Sequence, residues 1–157
     1  MHRRSTALTV AQQAFTLKEL FPNVHAKLKP GRLTWVGDIQ PTALSRVYTI
    51  QVAYQAGGVP AVKVLKPQLE PRPDAKLPHL YDNGALCLYE AGEWDPSMSI
   101  ANTILPWTSE WLIHYEIWRA TGVWYGGGGS PPIHSPAPIS ESVDAGPTAV
   151  TANVGGP

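Results

Sequence analysis

The chain reads as an α+β domain, and three observations carry that reading. An apolar stripe at helical spacing opens it, alternating runs fill residues 33–65, and a Trp and Tyr stripe at helical spacing closes it. Past residue 125 the composition turns to Gly and Pro. The folded domain is therefore placed at residues 1–125 and a disordered tail at 126–157.

The first helix is expected from about Thr6 to Phe21. Val10, Ala14, Leu17 and Phe21 share one face, Thr6 or Thr9 caps the start, and Pro22 ends it. Pro30-Gly31 is a turn. Leu33, Trp35, Gly37 and Ile39 then alternate with Thr34, Val36 and Asp38 as a strand would. Ser45 to Tyr54 is the clearest strand, with Tyr48, Ile50, Val52 and Tyr54 on one face. Ala56-Gly57-Gly58 is a hairpin-type turn, and Val59 to Leu65 is a third strand. Three strands joined by short turns make an antiparallel β-meander.

From Lys66 the chain changes character. Pro67, Pro71, Pro73 and Pro78 forbid a regular helix or a central strand. Leu86 to Tyr89 is at most a short strand. Ser99 to Leu105 has room for one or two helical turns, and Pro106 either kinks them or sits in the first turn of the next helix. Trp107, Trp111, Tyr115 and Trp118 run down a helix to about Thr121, with Gly122 as the stop. Their spacing is that of a packed core face.

Composition excludes several classes of function. The formal net charge is zero over 157 residues, which argues against binding nucleic acid through its phosphates. The single cysteine, Cys87, makes no internal disulfide and no multi-thiolate zinc site, and no metal or small cofactor is implied. No apolar run reaches the ~18 residues of a membrane helix, and the first residues lack a signal peptide's apolar core. A soluble, cytoplasmic protein is expected. Basic residues gather early: Arg3, Arg4, Lys18, Lys27, Lys29 and Arg32 stand against Glu19 alone within residues 1–32. This is either a docking face for an acidic partner or an ordinary solvated face.

The chemistry centres on Cys87. It follows a polar turn, Asp82-Asn83-Gly84, and His79 and Asn83 lie close upstream. Acyl transfer needs a nucleophile, a donor for the oxyanion and access for a second nucleophile. Cys87 supplies the first, and His79 and Asn83 are the candidates for the second.

The order of helix, meander, Pro-rich loop, cysteine, Trp-x-Pro and helix resembles the ubiquitin-conjugating (UBC) fold. The motifs that carry the likeness are Leu77-Pro78-His79, Gly84, Cys87-Leu88-Tyr89 and Trp94-Asp95-Pro96, followed by Ile100. They fall within residues 6–121, in the family's order and near its spacing. The chain departs from the family's His-Pro-Asn signature: His79 stands where the asparagine would be and Leu77 where the histidine would be. Tyr89 replaces an acidic residue after the cysteine. One helix follows the cysteine, as in a minimal version of the fold without further C-terminal helices.

Among its members the chain looks most similar to the stand-alone bacterial conjugating proteins of CBASS antiviral operons. That resemblance implies a thioester between Cys87 and the C-terminal glycine of a cGAS-like nucleotidyltransferase or a ubiquitin-like protein, then transfer to an acceptor. It also implies an activating partner on the basic first helix, an oxyanion or general-base role for His79 with Asn83 as a second donor, and structural roles for Trp94 and Pro96. A non-catalytic UBC-like adaptor is the main alternative, and a cysteine hydrolase with a Cys87–His79 dyad is a third.

Overall fold

The structure is a computed structural model and describes residues 6–126. The expected disordered tail therefore lies outside the described residues except for Gly126, as do Arg3 and Arg4.

Helix α1 spans Val10–Leu20. Thr9, the later of the two candidate caps, starts it. Thr9 Oγ1 accepts the Gln12 N–H at 3.1 Å, and Gln12 Oε1 accepts the Thr9 N–H at 2.8 Å. This reciprocal pair satisfies two backbone donors at the helix start. Leu17 is fully buried on the expected stripe.

Four strands follow: β1 Ala26–Lys29, β2 Arg32–Ile39, β3 Tyr48–Gln55 and β4 Ala61–Lys66. They form one antiparallel sheet in the order β1-β2-β3-β4. The meander is as expected, with one strand more than expected. The extra strand is β1, whose residues Ala-Lys-Leu-Lys are too few and too polar to show a buried face. Its pairing across Pro30-Gly31 sets Leu28 opposite Leu33. Strand β3 begins at Tyr48, not Ser45, because Ser45 is used in the preceding loop. There its hydroxyl donates to Glu116 Oε2 at 2.8 Å.

One face of the sheet is the core. Leu33, Trp35 and Ile39 of β2 lie beside Tyr54, Val52 and Tyr48 of β3, and all six are buried. Gly37 takes its place in this face for lack of a side chain. The Trp35 ring lies over it, and a Cβ there would come within 2.4 Å of the indole.

Helix α2, Ile104–Thr121, packs on this face. Pro106 sits in its first turn, where a missing N–H costs nothing. Ile104, Leu105, Thr108, Trp111, Leu112, Tyr115 and Trp118 are buried. Tyr115 meets Tyr48 of β3 edge-on at 6.5 Å. Gly122, at φ 80°, closes the helix by donating its N–H to the Trp118 carbonyl at 2.8 Å. Among the described residues α2 is the one helix after Cys87. No described helix is long and apolar enough to cross a membrane. Two helices and a four-stranded antiparallel sheet make the α+β architecture expected, and one compatible with a UBC-like fold.

The Pro-rich loop is tied to the end of α2. Arg72 donates to the Trp118 and Arg119 carbonyls at 3.3 and 2.8 Å, placing a cation on the negative end of the helix. Arg119 in turn donates to the Pro71 carbonyl and pairs with Glu70 at 2.7 Å.

Candidate active site

Residues 79–87 form a small closed loop with Cys87 at its end. The Cys87 N–H donates to the His79 carbonyl at 2.9 Å, and the Tyr81 N–H donates to the Ala85 carbonyl at 2.9 Å. Leu80 and Leu86 bridge between these two bonds. Gly84 makes the turn at φ 83°, and its N–H donates to the Tyr81 carbonyl at 2.9 Å. The Leu86 N–H reaches the Val62 carbonyl of β4 at 2.8 Å, which fastens the loop to the sheet edge.

His79 holds a left-handed backbone at φ 55°, a conformation uncommon for a residue with a side chain. Its carbonyl accepts twice, from Cys87 N–H and from Trp111 Nε1 at 3.3 Å. Helix α2 thus positions the loop through the same carbonyl that fixes the cysteine.

Of the three sequence-predicted residues, the structure joins Cys87 and His79 through their main chains. The His79 imidazole stacks on Trp124, with centroids 4.5 Å apart and planes 26° apart. Burial, and then the charge of His114, lower its pKa below the ordinary histidine value. Asn83 lies at the exposed tip of the loop, where its Oδ1 accepts the Ala85 N–H at 3.0 Å. Trp94 is buried: its indole N–H donates to Thr103 Oγ1 at 3.1 Å and its ring meets Tyr54 at 5.6 Å. The Pro96 carbonyl accepts the Leu8 N–H at 2.8 Å, tying this segment to the start of the chain.

Cys87 is only 2% exposed, yet it lines a cleft of about 410 Å³. Burial pushes its thiol up from the ordinary value, and a hydrogen bond with Tyr81 pulls the other way. The cleft walls are rings, Tyr89, Trp107, Trp111 and Trp124, and its charged lining is Glu93 and Glu110. Burial also raises the Tyr89 hydroxyl, to about 12.

Sequence reading missed four contributors. Trp124 lies beyond the helix stop, where nothing in local spacing marks it. The chain turns back after Gly122, so that Trp124 meets His79, Trp111 at 5.2 Å and His114 at 5.8 Å. His114 sits one residue before Tyr115 of the aromatic stripe and passes as a flank position. Tyr81 gives no signal apart from its place inside the loop. Gln13 reads as a polar residue on the outer face of α1. It is fully buried instead, donating to the Met98 carbonyl and accepting the Ile100 N–H, both at 2.8 Å. It holds the turn between Pro96 and α2.

Residues 13–131 match the family described as Type II CBASS E2 protein. No curated protein matches the chain. The match covers α1 from Gln13, the whole sheet, the cysteine loop and α2. The chain belongs to the family of type II CBASS E2 proteins, and with it takes an E2-like conjugating role in CBASS antiviral defence.

Proposed function

We propose that Cys87 carries the C-terminal glycine of a protein as a thioester and passes it to an acceptor. The donor we assign is a cGAS-like nucleotidyltransferase, which conjugation then primes for signalling. A ubiquitin-like protein is the other donor of the same chemistry. The observation that carries the reading is that the chain's one thiol lines an open cleft while its own N–H and the preceding loop are hydrogen-bonded in place. A fixed nucleophile facing a cleft spends little entropy on reaching an acyl group.

The steps balance without a cofactor. The Cys87 sulfur attacks an activated glycyl carbonyl and the activating group leaves. An incoming nucleophile then attacks the thioester, the C–S bond breaks, and its electron pair departs as the thiolate. His79 and the Nδ2 amide of Asn83 are the donors we assign to the oxyanion. The two carboxylates and aromatic walls of the cleft favour an amine, which arrives as a cation, over a thiol. Lys18 of α1 with Lys27 and Lys29 of β1 are exposed, beside exposed Phe15 and Leu28. This basic, partly apolar face is where an acidic activating partner would dock.

A non-catalytic adaptor remains the second reading, and the near-complete burial of Cys87 favours it. The two part in a reaction reconstituted with the nucleotidyltransferase, an activating component and ATP. Transfer through Cys87 predicts that Cys87→Ala abolishes conjugate and that Cys87→Ser traps an oxyester. An adaptor keeps full conjugation with Cys87→Ala.

A further inference from the structure

His114 occupies a position in the cleft that the transfer reaction can use. It lies on α2 and lines the same cleft as Cys87, Glu93, Glu110 and Trp124. Its side chain is 19% exposed, and its two nitrogens differ sharply. Nδ1 is enclosed and has no hydrogen-bond partner among the described residues. The backbone at Gly126 packs against the Cδ2 edge of the ring, where a Cβ on Gly126 would come within 2.7 Å of the imidazole. Nε2 lies 3.7 Å from Oε1 of exposed Glu110. The ring is therefore held by Trp124 and Gly126 and presents one nitrogen beside a carboxylate.

An amine attacking a thioester needs such a group. A lysine amine is almost wholly protonated at neutral pH, with an ordinary pKa of about 10.4. Once the neutral amine adds to the carbonyl, its nitrogen carries a proton that must leave before the amide is stable. The Tyr89 hydroxyl, raised to about 12, stays protonated and is no acceptor for it. The His79 ring, stacked on Trp124, is the group assigned above to the oxyanion, which leaves the amine proton to another base.

We propose that His114 is the base that takes the proton from an amine attacking the Cys87 thioester, with Glu110 steadying the imidazolium that results. The inference rests on the thioester reading above. The new C–N bond forms, the amine proton passes to Nε2, and the C–S pair leaves on Cys87. The imidazolium then gives its proton to the departing thiolate or to water, and the site returns to its starting state.

The test uses the full chain loaded at Cys87 from a synthetic peptide ending in a glycyl thioester, with loading read by intact mass. Discharge is then timed with free lysine and, separately, with hydroxylamine, a much weaker base that is largely unprotonated at neutral pH and whose adduct gives up its proton readily to water. His114→Gln should load like wild type, discharge to lysine about 10²-fold more slowly, and discharge to hydroxylamine at the wild-type rate. Wild-type lysine discharge by His114→Gln overturns the inference, as does equal slowing with both nucleophiles, which marks a structural effect. Should His114→Gln fail to fold, Glu110→Gln carries the test. It should slow lysine discharge about tenfold and leave hydroxylamine unchanged, and an unchanged lysine rate overturns the inference. A wild-type chain that takes no acyl group from the peptide removes the thioester reading itself.

Discussion

At the residue scale, Cys87 is a thiol held by its own backbone. Its amide is bonded to His79, the residue lines a cleft, and Tyr81 offsets part of the cost that burial places on its thiolate. Removing the Tyr81 hydroxyl removes a bond to the charged form, so the thiol pKa rises further. Tyr81→Phe should slow iodoacetamide alkylation of Cys87 at pH 8 several-fold and move the midpoint of its pH profile upward. Histidine NMR checks a second residue. His79 should titrate below the 6.5 of a free histidine, because burial and the charge of His114 both oppose its protonation. Its imidazole is then neutral at pH 7, and His114→Gln should move its midpoint back up. Residue type and spacing singled out Cys87 and His79 as candidates. The link between them was not legible, since it runs through a carbonyl and a left-handed backbone that no side-chain pattern reveals.

At the element scale, the helices and the three longer strands announce themselves because each buries one periodic face. Leu17 of α1, Tyr48 to Tyr54 of β3 and Trp111 to Trp118 of α2 fall where their spacing puts them. Strand β1 escapes because four half-polar residues on a sheet edge bury no face. Gln13 escapes for the opposite reason: a polar residue inside a helix is read as solvent-facing unless its distant partners are known. Its two bonds reach Met98 and Ile100 across most of the domain. Gln13→Ala leaves both backbone groups buried and unpaired, and should cost about 2–4 kcal/mol in urea unfolding. Trp124 belongs to this scale as well. It braces the cysteine loop from outside any element, against His79 and Trp111. Trp124→Ala should speed hydrogen exchange at the Cys87 amide tenfold or more, with a smaller change at the amides of β3.

At the scale of the whole molecule, the sheet supplies the core face, α2 packs on it and walls the cleft, and the cysteine loop brings Cys87 to the cleft lining. The family match spans all three, which accounts for the conjugating role. The charge asymmetry along the chain becomes a place: the exposed lysines of α1 and β1 lie on the elements that pack together at the β1 edge of the sheet. If an acidic activating partner docks there, reversing Lys18, Lys27 and Lys29 to Glu should weaken its binding at least tenfold at low salt. It should leave acyl discharge from a preloaded Cys87 unchanged.

The central claim is that Cys87 bears the acyl group, and intact-mass spectrometry without reductant tests it most directly. The chain is incubated with the nucleotidyltransferase, its activating component and ATP, then split into samples with and without dithiothreitol. The account predicts a one-to-one adduct that dithiothreitol removes, absent from Cys87→Ala and resistant to dithiothreitol in Cys87→Ser. Conjugate formed at the full rate by Cys87→Ala, or an adduct that maps elsewhere on the chain, would contradict it.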